Sequence, residues 1–206
     1  MSAQPEAYLQ PAEYLARERS STDMRHEYFR GEMFLMSGAS REHNLIGFNL
    51  VGLLHSSLRD SGCEAYANDM RVKVDVTGLY TYPDLVVTCE EPRFEDEHVD
   101  TLLNPQVLVE VLSESTEAYD RGKKFEHYRG LETLREYLLV AQDRPHVERF
   151  SLGEDGVWRL NDATGLDASI AIETIGAELL LKDVYAKVAW PTPEGTQAEA
   201  TQADAS

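Results

Sequence analysis

The chain reads as an α/β protein in which a mixed central sheet is flanked by helices. Three observations predict this. Two short runs, 83–89 and 107–112, are apolar on both faces, as strands covered from both sides must be. Two longer stretches, 40–58 and 116–131, instead place their apolar residues at helical spacing. The 206 residues suit one domain with a tail, long enough to bury a core that needs neither a disulfide nor a structural metal.

Taken in order, Pro11 suits a first helical position, and a helix over 11–20 follows. Segments 25–30 and 32–37 read as paired strands around Arg30-Gly31. Over 40–58, Leu45, Ile46, Phe48, Leu50, Val51, Leu53, Leu54 and Leu58 predict a well-buried helix, which Ser61-Gly62 ends. Strands are expected over 63–67, 70–76, 83–89 and 107–112, with an exposed acidic loop, 90–104, between the last two. The helix over 116–131 has Ser115 or Thr116 as its cap and Asp120 near its start, where the positive end of a helix favours an acid. Strands over 135–141, 147–150 and 157–160 come next, the last after a turn at 153–156. An apolar run at 179–181 and a short helix near 182–188 complete a domain spanning 1–191. Segment 192–206 is Ala, Thr, Glu, Gln and Gly with little to bury, and is expected to be a disordered acidic tail.

A formal net charge of -18 argues against a surface made to coat a phosphate backbone. Much of the excess is local, with six acids against one arginine in 90–100 and three acids without a base in 192–206. The stretch 119–135 reverses the balance, setting Arg121, Lys123, Lys124, Arg129 and Arg135 against three acids. Cys63 and Cys89 have no His or Cys companion at zinc spacing and are expected to be small buried apolar side chains. No basic segment followed by an apolar run opens the chain, and no apolar stretch approaches the ~18 residues of a membrane span. A cytoplasmic protein that does not enter the membrane is the plain expectation.

The sharpest feature is a pair of acids set into apolar strands, Asp84 in Tyr82-Pro83-Asp84-Leu85-Val86-Val87 and Glu110 in Val107-Leu108-Val109-Glu110-Val111-Leu112. Alternation puts Glu110 on the side of Leu108 and Leu112, with the three valines opposite. An ionised carboxylate there costs several kcal/mol unless a base, a retained proton or a metal compensates it. Two facing carboxylates repel each other, and a divalent cation settles both. Mg²⁺ or Mn²⁺ fits a two-carboxylate site better than zinc, since no Cys or His cluster lies nearby. Lys124 lies four residues after Asp120 and four before Tyr128, so these three share a helix face. If that helix packs beside the Glu110 strand, the ammonium reaches the acid pair.

The series Pro83-Asp84, Glu110-Val111-Leu112-Ser113, Ser115-Thr116, Asp120-Arg121-Gly122-Lys123-Lys124 and Tyr128 resembles the bacterial Uma-two family, within the PD-(D/E)XK nuclease superfamily. The likeness runs from about Tyr14 to Trp190 and takes in Glu27 through Glu32 and His43. It implies a restriction-endonuclease-like fold, DNA as substrate and catalysis by Asp84, Glu110 and Lys124, with Asp84 and Glu110 as metal ligands. The superfamily pattern has a lysine two residues after the glutamate, where this chain has Leu112. The resemblance implies that Lys124, or else Lys123, takes that place from the helix. Glu27 is a candidate further acid, Asp120 a neighbour of the lysine, and His43 a candidate contact to metal or substrate.

The reading is a metal-dependent endodeoxyribonuclease that acts as a homo-oligomer, a dimer or larger. The rival is a nuclease-fold binding or assembly module without strong catalysis, which the displaced lysine and acidic surface favour. Strand-edge charge for Glu27 and a local hydrogen bond for His43 are the plainer readings of those two residues.

Overall fold

The computed structural model describes residues 8–36 and 38–190. Ser37, at the end of the second predicted strand, and the predicted tail, 192–206, lie outside them. The chain runs through α1 (Pro11–Ser20), β1 (His26–Phe29), β2 (Glu32–Leu35), α2 (Arg41–Leu58), β3 (Glu64–Ala67), β4 (Arg71–Val74), β5 (Leu79–Thr81), β6 (Leu85–Thr88), β7 (Thr101–Leu102) and β8 (Val107–Val111). One continuous helical segment follows, made of α3 (Glu117–Tyr119), a π-helical turn (Asp120–Lys124) and α4 (Phe125–Tyr128). Then come β9 (Glu136–Val140), β10 (His146–Leu152), β11 (Trp158–Thr164), β12 (Ser169–Ile172), β13 (Ala177–Leu180) and α5 (Leu181–Val184).

The strands form two mixed sheets and a hairpin rather than a single sheet. The larger has the order β11-β10-β9-β8-β6-β3, the smaller β2-β1-β5-β4-β7, and β12 pairs with β13 alone. Strands β6, β8 and β9 are buried along their whole length, which is why they are apolar on both faces. On one side Leu85, Val87, Val107, Val109 and Val111 meet Ile46, Leu50, Leu54 and Leu58 of α2, along with β12, β13 and α5. On the other, Val86, Leu108 and Leu112 meet Tyr128, Tyr137 and Leu139, together with Val72, Val74 and Leu79 of the smaller sheet. Each such fully buried side chain stabilises the fold by about 1.5–3 kcal/mol. A third cluster, Leu9, Tyr14, Leu15, Tyr28 and Tyr80, fixes α1 to the smaller sheet.

Several expectations are corrected. Helix α2 is buried along one stripe, at every fourth residue, whereas Phe48 is 78% exposed and Val51 also faces outward. The acidic loop is not simply exposed: Thr101 and Leu102 form β7, parallel to β4, and Asn104 is buried. Its charge is met by Arg19, which pairs with Asp96 and Asp100 at 2.8 Å each, and by Arg71, 3.2 Å from Asp100. Cys63 and Cys89 are joined in a disulfide rather than being free apolar residues. They flank the β3–β6 ladder, in which Glu64 faces Thr88, so the antiparallel register brings them together across 26 residues of sequence. The apolar run 179–181 packs within the chain, with Leu179 and Leu181 in the core.

Two measurements follow from these contacts. Alkylation of the denatured, unreduced protein is expected to add no label and that of the reduced protein two, read by intact mass; labelling without reductant would remove the Cys63–Cys89 bond. The Arg19 guanidinium, acting on Asp100 with Arg71 and Thr101, holds that carboxyl down at about 2 against the counteracting effect of burial. Its folded value is depressed, so its stabilisation is present above the ordinary carboxylate range near 3.8 and is lost as pH falls through about 2. Arg19→Ala should move the Asp100 titration, followed by carboxyl NMR, back toward that range.

Candidate active site

Strands β6 and β8 are antiparallel, with Leu85 facing Val109 and Val86 facing Leu108. One step further along the same register sets Asp84 against Glu110. Glu110 leaves the sheet on the side of Leu108 and Leu112, while Asp84 stands just before β6, at the end of the ladder. That side is covered by Tyr128 and Tyr137 and carries the α3–α4 segment.

Asp84 is fixed from two directions. Its Oδ2 accepts the Val111 N–H at 2.6 Å, and its Oδ1 lies 2.9 Å from His43 Nε2. His43 stands in the first turn of α2, where the Ser40 hydroxyl accepts its backbone N–H at 3.0 Å. Burial by itself lowers the His43 pKa, but the Asp84 and Asp120 carboxylates outweigh it and the net direction is upward.

Glu110 is buried, and its Oε1 takes both the Tyr128 hydroxyl proton and the Lys124 ammonium, at 2.8 Å each. Lys124 Nζ also lies 3.3 Å from Glu27 Oε1 and 3.5 Å from Asp120 Oδ1, with only 6% of its side chain exposed. The Lys124 helix therefore does pack beside the Glu110 strand. The segment carrying it is a π-helical turn, a wider coil than the α-helix and one often found at functional sites. Glu27 arrives from β1, where the Thr81 hydroxyl of β5 donates to it.

The charges do not balance. Three carboxylates, Glu27, Glu110 and Asp120, share one ammonium, Lys124, and Asp84 pairs with the imidazole of His43. Burial pushes Glu110 well above the ordinary carboxylate range, and Asp120 and Asp84 add to the push against Lys124. Burial likewise raises Asp120. Lys124 goes the other way from a buried amine: desolvation would lower it, yet Glu110, Glu27 and Asp120 hold it firmly protonated.

Among the described residues, no group of three or more His, Cys, Asp or Glu side chains converges as a ready metal cage. The donor set nonetheless suits a hard cation that keeps part of its water shell. Mg²⁺ asks for one or two carboxylates, and Asp84 and Glu110 are the two that could supply them.

Of the residues singled out in the sequence, Glu110, Glu27 and Asp120 meet around Lys124, and His43 pairs with Asp84. Lys123 does not: its side chain is 74% exposed and pairs with Glu126 at 3.0 Å on the outer face. The expectation that it could replace Lys124 is thereby corrected, since consecutive helical residues point apart. Thr81 and the hydroxyl of Tyr128 belong to the cluster and were not foreseen as members. Tyr128 shared the predicted face of Lys124, which was the available signal; Thr81 had none.

The family model described as "Putative restriction endonuclease" matches residues 11–182. Two proteins of Synechocystis sp. (strain ATCC 27184 / PCC 6803 / Kazusa), both named as uncharacterized, are similar along most of their length. Protein sll1609 is 38% identical over 162 residues, 79% of this chain and 91% of its own. Protein slr1290 is 34% identical over 182 residues, 88% of this chain and 94% of its own. The crystal structure of a "putative nuclease belonging to DUF820" from Anabaena variabilis ATCC 29413 superposes with a TM-score of 0.69 at 18% identity, covering 84% of this chain and 96% of that one. At that identity the likeness is one of fold.

The unequal roles of the two buried partners are measurable. In chelator, Lys124→Ala is expected to cost about 3–5 kcal/mol of unfolding free energy, because it strands three acids. Glu110→Gln keeps the shape and removes a charge, and should stay within about 1.5 kcal/mol of the parent. Equal losses in urea denaturation would show that Lys124 is not the counterion on which the cluster rests.

Proposed function

This chain belongs to the Uma2 family of restriction-endonuclease-like proteins, and on that premise we propose that it is a metal-dependent endonuclease that hydrolyses phosphodiester bonds in DNA. The observation that carries this reading is the Lys124 ammonium, 2.8 Å from the Glu110 carboxylate, with Asp84 one residue before β6, the strand paired with that of Glu110. The superfamily's acid–acid–lysine chemistry would thus be available although Leu112 occupies the usual lysine position, and the binding-module alternative keeps only the acidic surface as its support.

Asp84 and Glu110 would hold a Mg²⁺ or Mn²⁺ ion, which when bound lowers the pKa of a coordinated water and draws charge from the phosphoryl oxygens. The chain's own residues set the geometry. The Val111 N–H and His43 fix the rotamer of Asp84, and Tyr128 fixes that of Glu110. Lys124 stabilises the negative charge that grows on the phosphoryl oxygens as water adds to phosphorus and the opposite P–O bond breaks. The water's proton passes to solvent or to the departing oxygen. Glu27 and Asp120 hold the ammonium in place, at 3.3 and 3.5 Å.

The described residues include no helix long and apolar enough to cross a membrane. A DNA substrate is compatible with the cytoplasm, a compartment in which lasting disulfides such as Cys63–Cys89 are uncommon.

With Mn²⁺ or Mg²⁺ the purified protein is expected to nick or cut DNA. Asp84→Ala should abolish cleavage and the metal-binding heat in calorimetry while leaving the folded circular dichroism spectrum. Lys124→Met should lower the rate about 10²-fold or more. Full cleavage by Asp84→Ala, or no carboxylate-dependent metal binding in the parent, would refute the proposal.

A further inference from the structure

The β1–β2 hairpin has two unlike faces. The pairs His26–Leu35 and Tyr28–Met33 lie on the α1 side, where Tyr28 stacks 4.9 Å from Tyr14. The pairs Glu27–Phe34 and Phe29–Glu32 lie on the other, where Glu27 meets Lys124 and Phe29 meets His127 with ring centroids 4.7 Å apart. Phe34 is thus the direct cross-strand neighbour of Glu27, on the face of the carboxylate cluster, at a Cβ separation of roughly 5 Å. It is nevertheless 47% exposed. Such a ring contributes little to the core, and it stands at the lip of the site.

A second ring stands on the helical side. Tyr119 immediately precedes Asp120 at the start of the π-turn that delivers Lys124, and is 37% exposed. Its ring thus stands on the same helical segment as Asp120 and Lys124.

Most basic residues nearby are otherwise engaged. Arg121 is tied to Glu117 and Glu148, Lys123 to Glu126, and Arg129 lies over the Phe125 ring. Arg25, on the lip beside Glu27, pairs with Asp69 at 3.3 Å. With a net charge of -18, little is left to neutralise phosphates, and duplex DNA draws its affinity mainly from phosphate contacts. Unpaired bases offer a further handle, because they stack on aromatic rings with little regard to sequence.

Building on the endonuclease reading, we propose that Phe34 and Tyr119 stack on the bases of single-stranded DNA at the lip of the site, so that the protein selects unpaired over duplex substrate. Stacking brings a strand to the acids without a basic surface, and the base-paired form lacks free faces to offer.

The test uses the full chain, a labelled oligothymidylate and a duplex of equal length, with binding read by anisotropy in chelator and cleavage read separately in Mn²⁺. The single strand should bind more tightly than the duplex. Phe34→Leu and Tyr119→Leu should each weaken it roughly 5- to 100-fold. Phe34→Trp should restore binding, and Phe34→Leu should raise KM with kcat little changed. Unaltered thermal unfolding of the variants shows that folding is not the cause. Equal binding of duplex and single strand, or full single-strand binding by both leucine variants, overturns the proposal. Ring-dependent binding without Mn²⁺-dependent cleavage supports the stacking lip and sinks the endonuclease reading alone.

Discussion

A carboxylate among Leu108, Leu112, Tyr128 and Tyr137 cannot stay ionised without a counterion, and in this fold the counterion is one lysine, Lys124, reaching in from a helix. Its three acidic contacts come from three separate elements: Glu110 from β8, Glu27 from β1 and Asp120 from its own π-turn. The ammonium therefore links the larger sheet, the smaller sheet and the helical segment at a single point. Such a link stabilises little on its own, because desolvation offsets much of the Coulombic gain. Removing it would be costly, because it would leave buried charge unpaired.

The packing around this point explains why it is held in one geometry. Cores on the two faces of β6, β8 and β9 clamp those strands, and with them the stagger of Asp84 and Glu110. The tyrosines serve both purposes, with rings in the core and hydroxyls on polar groups. Tyr128 donates to Glu110 and Tyr137 to the backbone oxygen of Asp120 at 3.2 Å. Polar groups in this interior are thus satisfied where they matter for the site, as buried networks must be if they are to specify one arrangement.

The same economy of cations shapes the outer surface. Around the cluster, Arg121, Lys123 and Arg129 are turned to neighbouring acids or rings of their own helix and of β10. Strong local acidity suits attraction of a divalent ion and is poor for gripping a polyanion. A DNA strand, as the proposed substrate, would have to be held by something other than a field of positive charge.

Period and spacing were enough to reveal much of this. Pro11 and the polar punctuation around it delimit α1, Ser40 caps α2, and the two-faced apolar runs mark β6 and β8 because burial on both sides leaves no room for polar residues except those with a task. For that reason Asp84 and Glu110 stood out, and the four-residue step from Asp120 to Lys124 to Tyr128 placed the lysine on a single helix face. Short elements were silent: β5, β7 and β12 span two to four residues and owe their extended form to partners far along the chain. The division into two sheets, the Cys63–Cys89 bond, the Thr81 contact and the outward turn of Lys123 were likewise decided by tertiary structure alone. Local sequence dictates which faces are apolar and which acids are out of place; which cation meets those acids depends on long-range packing, and no spacing along the chain encodes it.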